Sequence, residues 1–193
     1  MKPLNRRLPV ILVVLVALAV LALDAISKQL VLSNLVEGDP KRLIPGVLYL
    51  NLTRNSGAAF SFGTNHTWIF PTITFVVIVW IAWMSRKLHS VAWAIAFGLV
   101  LGGAFGNLMD RLFRAPGPMR GAVVDFISLF SNSGQGFAIF NLADSALTCG
   151  VALAILLELL GRHRDGTRQA PAWRSDPDRP AAAKEQAAPK ERE

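Results

Sequence analysis

Residues 8–23 read LPVILVVLVALAVLAL, an apolar run that no charged residue interrupts. If Asp24 and Lys28 are tolerated near one end, the same helix continues to Leu32 and is long enough to cross a bilayer with some tilt. Basic residues precede the run, as they also do in a secretory signal peptide: Lys2, Arg6 and Arg7. The length of the run and the further apolar runs downstream favour a membrane span over a cleaved leader.

Three more segments predict membrane-crossing helices, at about residues 67–84, 91–109 and 138–160. The last of them is long enough only if it takes in Asn141 and Asp144 just inside the membrane. With the first span at about 8–32, the pattern predicts an all-α membrane protein built as a four-transmembrane-helix bundle.

The composition supports this interpretation. Of the 193 residues, 52% are apolar and only 17% charged, which is too apolar for an ordinary soluble domain. The net charge of +7 is not organised into a basic helix or a nucleic-acid-binding motif, so we expect membrane lipids and no nucleic acid as partners. The lone cysteine, Cys149, excludes an intramolecular disulfide framework and a multi-cysteine metal site.

Basic residues predict the orientation of the bundle. They cluster before the first span, between the second and third spans, and after the fourth: Lys2, Arg6, Arg7, Arg86, Lys87, Arg162 and Arg164. The N and C termini are therefore expected in the cytoplasm, and the longer loops 33–66 and 110–137 outside it, as a small, partly β region. Residues 1–164 form the predicted membrane domain. Residues 165–193, rich in Ala, Pro and charge, are predicted to be a disordered cytoplasmic tail.

Ionisable side chains inside membrane spans are costly and therefore become candidates for function. Asp24 and Lys28 are spaced i, i+4 and can pair on one face of the first helix. A structural ion pair and a direct chemical role both remain open for them.

Asp125 and Asp144 are carboxylic acids in apolar company near the outer boundary of the membrane. Two carboxyl groups that lie close together in a medium of low dielectric constant do not both ionise easily, and a shared proton suits one as base and the other as acid. This arrangement is typical of aspartic proteases, although spacing alone favours structural pairing, for which many membrane proteins hold two acidic residues.

The third predicted span supplies further candidates. Gly98, Gly102 and Gly106 form a small-residue face for close helix packing, while Asn107 and Arg111 share a face that is able to orient carboxylates or hold a peptide backbone. Residues 55–62, rich in small residues, fit either a close approach to a substrate backbone or a plain turn. Motifs for zinc-dependent or serine catalysis are absent from the sequence, so neither zinc chemistry nor His-assisted serine catalysis is expected.

Five motifs, in this order, resemble those of the lipoprotein signal peptidases, the type II signal peptidases of bacteria. The resemblance covers about residues 8–160. The motifs are Asp24 with Lys28, NSGAAFS at 55–61, GGAFGN at 102–107 with Asp110 and Arg111, VDF at 124–126, and FNLAD at 140–144.

The resemblance implies an intramembrane aspartyl endopeptidase of the bacterial cytoplasmic (inner) membrane, with Asp125 and Asp144 as catalytic pair at the outer, periplasmic face. Its substrates would be diacylglyceryl-modified prolipoproteins cut just before the lipidated cysteine, and globomycin-type cyclic peptides its inhibitors. The family uses no metal or cofactor. The remaining predicted substrate-binding or site-supporting residues are Asp24, Lys28, Asn55, Gly57, Gly103, Asn107, Arg111 and Asn141.

Two alternatives stay open from the residues themselves. A small polytopic carrier or channel would line a polar intramembrane path with Asp24, Asn107 and Asp144. An assembly scaffold would use the glycine face of the third span, and its function would not depend on Asp125.

Overall fold

The computed structural model of the chain describes residues 7–57 and 68–169. Within these residues lie four helices: α1 (Arg7–Asn34), α2 (Ile69–Ser85), α3 (Val91–Phe113) and α4 (Leu142–Leu159). Three strands accompany them: β1 (Lys41–Ile44), β2 (Leu48–Asn55) and β3 (Val123–Leu129). The predicted helical bundle with a small β part is therefore confirmed at the level of architecture.

Three of these helices, α1, α3 and α4, are long and apolar enough to cross a membrane. The other, α2, is also apolar but has only 17 residues. Large apolar side chains stand exposed on the outer faces of the bundle, as expected for surface that contacts lipid. Among them are Leu15, Leu18, Ile73, Val76, Trp80, Ile155 and Leu159.

Helix α3 is the centre of the bundle, and its small residues explain why. A Cβ atom added at Gly98 would lie 2.6 Å from Cβ of Val16, and one at Gly102 would lie 2.6 Å from Cβ of Val20. Only glycine therefore allows α1 to pack so closely against α3. The predicted packing role of these glycines is confirmed at both positions.

The strands form one antiparallel sheet in the order β1-β2-β3. In the β2–β3 register, Thr53 lies opposite Asp125 and Asn55 opposite Val123. The apolar side chains of Val31, Leu52 and Phe126 pack into a second core, which fixes the sheet to the C-terminal end of α1.

The helix boundaries differ from the predicted spans most clearly at α4, which begins at Leu142 rather than near Ala138. Phe140 pairs with Ile127 of β3, and Asn141 is the N-cap, so the residues before Leu142 belong to the sheet. Beyond α4, the backbone of residues 161–169 folds back on itself, because Gln169 N–H donates to the carbonyl of Gly161. The rest of the predicted tail, residues 170–193, lies outside the described residues.

Candidate active site

Polar side chains from five elements converge at the end of the bundle that carries the sheet. They come from α1, β2, α3, β3 and the start of α4: Asp24, Lys28, Asn55, Asn107, Asp110, Arg111, Asp125, Asn141 and Asp144. Most of the residues predicted from the sequence as site residues thus share one hydrogen-bonded network.

Asp125 is held by its strand and by two amides. The first four residues of β3 are buried, and the side chain of Asp125 is among them. Asn55 Nδ2 donates to Asp125 Oδ2 at 3.0 Å, and Asn141 Nδ2 donates to Oδ1 at 2.6 Å. Because the N–H of Gly57 donates to Asn55 Oδ1, the Asn55 amide has only its Nδ2 free to face the carboxylate.

Asp144 lies in the first turn of α4 and closes a reciprocal capping box with Asn141. The Asp144 N–H donates to Asn141 Oδ1 at 2.9 Å, and the Asn141 N–H donates to Asp144 Oδ2 at 3.2 Å. The other carboxylate oxygen, Oδ1, accepts from Asn107 Nδ2 at 2.7 Å. Both oxygens of Asp144 therefore have fixed donors, at a helix end that favours negative charge.

Asn141 connects the two carboxylates. Its side chain is fully buried, and Nδ2 donates both to Asp125 Oδ1 and, at 3.1 Å, to Asn107 Oδ1. Its Oδ1 accepts from the backbone N–H of Asp144, and its own backbone N–H donates to the Asp144 carboxylate, so this one residue is hydrogen-bonded to both carboxyl groups. The charge of the Asp144 carboxylate also acts on the Asp125 carboxyl group.

A buried cluster of charged side chains is hydrogen-bonded to this network and supports it. Lys28 is only 1% exposed, and its Nζ lies 2.7 Å from Asp24 and 2.8 Å from Asp110. The predicted pairing of Asp24 with Lys28 is present. Nζ also donates to Asn107 Oδ1 at 3.2 Å, so all three ammonium hydrogens have an acceptor.

The two carboxylates of this cluster each hold one segment of the site. Asp24 Oδ1 accepts from the N–H of Ala143 in the first turn of α4, at 3.1 Å. Asp110 Oδ2 accepts from the N–H of Val124 in β3 at 3.2 Å, while Oδ1 pairs with Arg114. The cluster therefore positions the backbones that carry Asp144 and Asp125.

Arg111 and Gly103 contribute in other ways. The Arg111 guanidinium donates to the carbonyl of Asn107 at 3.2 Å and interacts electrostatically with Asp125 and Asp144. Gly103 makes no polar contact through a side chain. Gly103 leaves room for the close approach of α4, since an added Cβ would meet the carbonyl of Ala143 and the backbone of Leu147.

Burial raises the pKa of Asp125 to about 6, against the hydrogen bond from Asn55, and the Asp144 carboxylate adds to the rise. A pKa in this range suits a group that acts as an acid or a base near neutral pH.

The site opens to the outside through a cavity of about 370 Å³. Its walls include Asp125 and Asn55 together with Thr53, Gly134 and Ile139. The Asp125 side chain, although buried, thus borders a cavity that opens to the surface. The motif residues 58–61 lie outside the described residues. In the described ranges 7–57 and 68–169, no group of three or more His, Cys, Asp or Glu side chains is arranged to hold a metal ion.

Asp110 is the site residue that sequence reasoning passed over, although it stands within one of the recognised motifs. It lies three residues after Asn107 and four before Arg114, the spacing of helical neighbours, at the end of a span. That spacing indicates that Asp110 shares a helix face with Asn107 and Arg114. The contact with Lys28 from another helix was not predictable from it.

A family model described as "Signal peptidase (SPase) II" matches residues 16–160. The lipoprotein signal peptidase of Streptomyces coelicolor is 52% identical over 152 residues, which cover 79% of this chain and 72% of that protein. The lipoprotein signal peptidase of Rhodococcus jostii is 44% identical, with 82% of this chain and 78% of that protein covered.

The fold is also similar to a solved structure, a bacterial membrane enzyme studied by the in meso method at 1.9 Å resolution. The TM-score is 0.68 at 32% sequence identity, and the match covers 76% of this chain and 92% of the other.

Proposed function

The chain belongs to the signal peptidase II family, and on that premise we propose that it removes signal peptides from bacterial prolipoproteins, with Asp125 and Asp144 as its catalytic pair. The observation that carries the assignment of the pair is the Asn141 side chain, which is hydrogen-bonded to both carboxyl-bearing residues. Membership in a peptidase family favours this function over the small carrier or channel and over the assembly scaffold.

The substrates are prolipoproteins, as the names of the relatives indicate for those proteins. The finer proposal is that they carry diacylglycerol on the cysteine that follows the cleaved bond. Acyl chains would hold that bond at the membrane boundary, where apolar helices meet the polar network. Asp125 borders the open cavity at this level of the molecule.

The pair would act through one water molecule and one shared proton. The ionised carboxyl removes a proton from water as the water oxygen attacks the scissile carbonyl carbon, and the protonated carboxyl donates a hydrogen bond to the carbonyl oxygen. The tetrahedral intermediate collapses as a proton passes to the leaving nitrogen. The amides of Asn55, Asn107 and Asn141 hold the two carboxyl groups in place throughout. No covalent intermediate with the protein is needed.

The proposed topology has four spans, with both termini in the cytoplasm and the catalytic pair at the periplasmic face. The basic residues at the far end of the bundle support it, because Lys87 and Arg164 lie at the end opposite the sheet. A fusion of alkaline phosphatase to the C terminus should be inactive, and a fusion of green fluorescent protein should fluoresce. The reverse pattern would contradict the proposed topology, because it would place the C terminus in the periplasm.

Cleavage of a diacylglyceryl-modified prolipoprotein peptide by the purified chain tests the function. Asp125→Asn and Asp144→Asn should each abolish cleavage, while Asp39→Asn, a change of an exposed carboxylate on the same side, should not. The product should begin at the lipidated cysteine, and a globomycin-type cyclic peptide should inhibit its formation. Substantial turnover by both site variants would rule out the pair.

A further inference from the structure

The end of the bundle opposite Asp125 carries positive charge that peptide hydrolysis does not use. Residues 86–90 connect α2 to α3, and residues 158–169 include the end of α4 and the turn after it. Together they contain five Lys or Arg residues and two acidic ones. The basic residues, here called the basic face, are Arg86, Lys87, Arg162, Arg164 and Arg168.

The turn after α4 is docked on the rest of the protein. The N–H of His89 donates to the carbonyl of Arg164 at 2.9 Å, and Nε1 of Trp93 donates to the carbonyl of Arg162 at 2.6 Å. The backbone of Arg164 is thus fixed against the α2–α3 connection, so this part of the basic face has a defined geometry.

Lys87 and Arg164 border one cavity of about 340 Å³, with Trp83 and Met84 as apolar walls. Lys87 Nζ lies 5.9 Å from the centre of the Trp83 ring, and Arg164 Cζ lies 5.9 Å from that of Trp93. Aromatic faces at this distance attract cations. Two cations from different segments are thereby kept at the rim of a shared cavity.

An apolar groove continues from this cavity between α2, α3 and α4. It shares Met84 and Arg164 with the first cavity, has a volume of about 360 Å³, and is lined by Trp80, Phe97 and Ile155 among others. The surface is therefore positively charged at the helix ends and becomes apolar further along the helices.

We propose that this composite site binds one anionic phospholipid, with its phosphate between Lys87 and Arg164 and an acyl chain in the groove. A phospholipid joins an anionic group to a long apolar chain in the same order. Anionic lipids are attracted by basic residues beside membrane spans. Aromatic rings such as Trp83 are typical of the boundary between headgroups and acyl chains.

The acidic residues nearby do not oppose this assignment. Asp165 also borders the cavity, but its Oδ1 already accepts from the N–H of Thr167 at 2.9 Å and from the Thr167 hydroxyl at 2.6 Å. Those hydrogen bonds lower the pKa of Asp165, so it stays ionised at neutral pH, and the two cations at the cavity outnumber its single negative charge. Glu158 borders the groove with a side chain that is 61% exposed, and its carboxylate lies 3.9 Å from His163.

Native mass spectrometry of the purified full-length chain, in micelles with equal amounts of phosphatidylglycerol and phosphatidylcholine, tests the proposal. The unmodified chain should retain one phosphatidylglycerol in preference to phosphatidylcholine. Replacing both cations (Lys87→Gln with Arg164→Gln) should reduce that preference by roughly tenfold or more. Arg42→Gln, which removes an exposed charge from β1 at the other end, should leave it unchanged.

The conservative double variant, Lys87→Arg with Arg164→Lys, should keep the preference for phosphatidylglycerol. It keeps the test valid if the double Gln variant folds poorly. Equal retention of the two lipids, or an undiminished preference in a folded double Gln variant, would overturn the proposal. So would displacement of the lipid by millimolar inorganic phosphate, because a site for free phosphate does not need the acyl groove. Since no catalytic residue is altered, prolipoprotein cleavage is a separate readout.

Discussion

The ammonium group of Lys28 lies 3.2 Å from Oδ1 of Asn107, and this contact determines which end of the Asn107 amide faces Asp144. Lysine only donates hydrogen bonds, so the amide atom next to it is the oxygen. The nitrogen then points to the Asp144 carboxylate at 2.7 Å. A buried lysine that touches neither carboxylate of the proposed pair thus orients a donor for one of them.

Asn107→Asp separates these two contacts. The new carboxylate still accepts from Lys28 and Asn141, but it has no N–H for Asp144 and adds a like charge beside it. We expect kcat for prolipoprotein cleavage to fall by roughly a hundredfold or more, on the scale of a lost electrostatic contact in an active site. The chain should still be recovered folded.

Asn51→Asp is the matched control, because Asn51 lies in β2 and its side-chain amide donates to the carbonyl of Asn132, away from the proposed pair. It should cleave at the rate of the unmodified chain. An Asn107→Asp variant with normal kcat would show that Asp144 does not need this donor.

Lys28→Met tests the charge cluster as a structural element. Removing the cation leaves Asp24 and Asp110 buried beside each other, with Arg114 as the one remaining cation on Asp110, and breaking a buried pair costs about 3–5 kcal/mol. We expect a clearly lower melting temperature in detergent. Adding Asp110→Asn to Lys28→Met should recover part of the loss. A Lys28→Met variant as stable as the parent would contradict the assignment of Lys28 to the support of α4 and β3.

The pH dependence of kcat/KM should show a step with an apparent pKa near 6, since that parameter reports the free enzyme and the pKa of Asp125 is raised to about 6. The hydrogen bond from Asn55 lowers this pKa, so Asn55→Ala should raise it and move the step to higher pH. A rising limb identifies Asp125 as the base, and a falling limb identifies it as the acid. A profile that is flat between pH 5 and 8, or a step that Asn55→Ala leaves in place, would contradict the prediction.

The bundle was predictable because its helices are apolar over spans that few charges interrupt, and the rare polar residues within them marked the site. Asn141 and Asp144 were singled out for that reason. Their spacing also matches a capping box, which places the start of α4 at Leu142, yet hydrophobicity alone extended the helix back to Ala138. The role of Asp110 depends on a contact between α1 and α3, and no local pattern contains that distance.

Gly103→Ala tests whether close packing of α3 on α4 positions the proposed pair. The added methyl group would meet the carbonyl of Ala143, in the first turn of α4, next to Asp144. Backbone atoms do not rotate away as side chains do, so α4 must shift. We expect overpacking to cost about 1–3 kcal/mol and kcat to fall sharply, since misplacement by about 1 Å costs about a hundredfold.

Gly98→Ala is the control for the packing cost alone. Its methyl group would lie 2.6 Å from Cβ of Val16, so it should also destabilise the bundle, but between α1 and α3 and far from Asp144. Activity is therefore measured per folded molecule, after size-exclusion chromatography in detergent. Gly98→Ala should then keep most of its kcat, and Gly103→Ala should not. Equal losses in the two variants would mean that the glycines serve the stability of the bundle and that Gly103 has no separate part in placing Asp144.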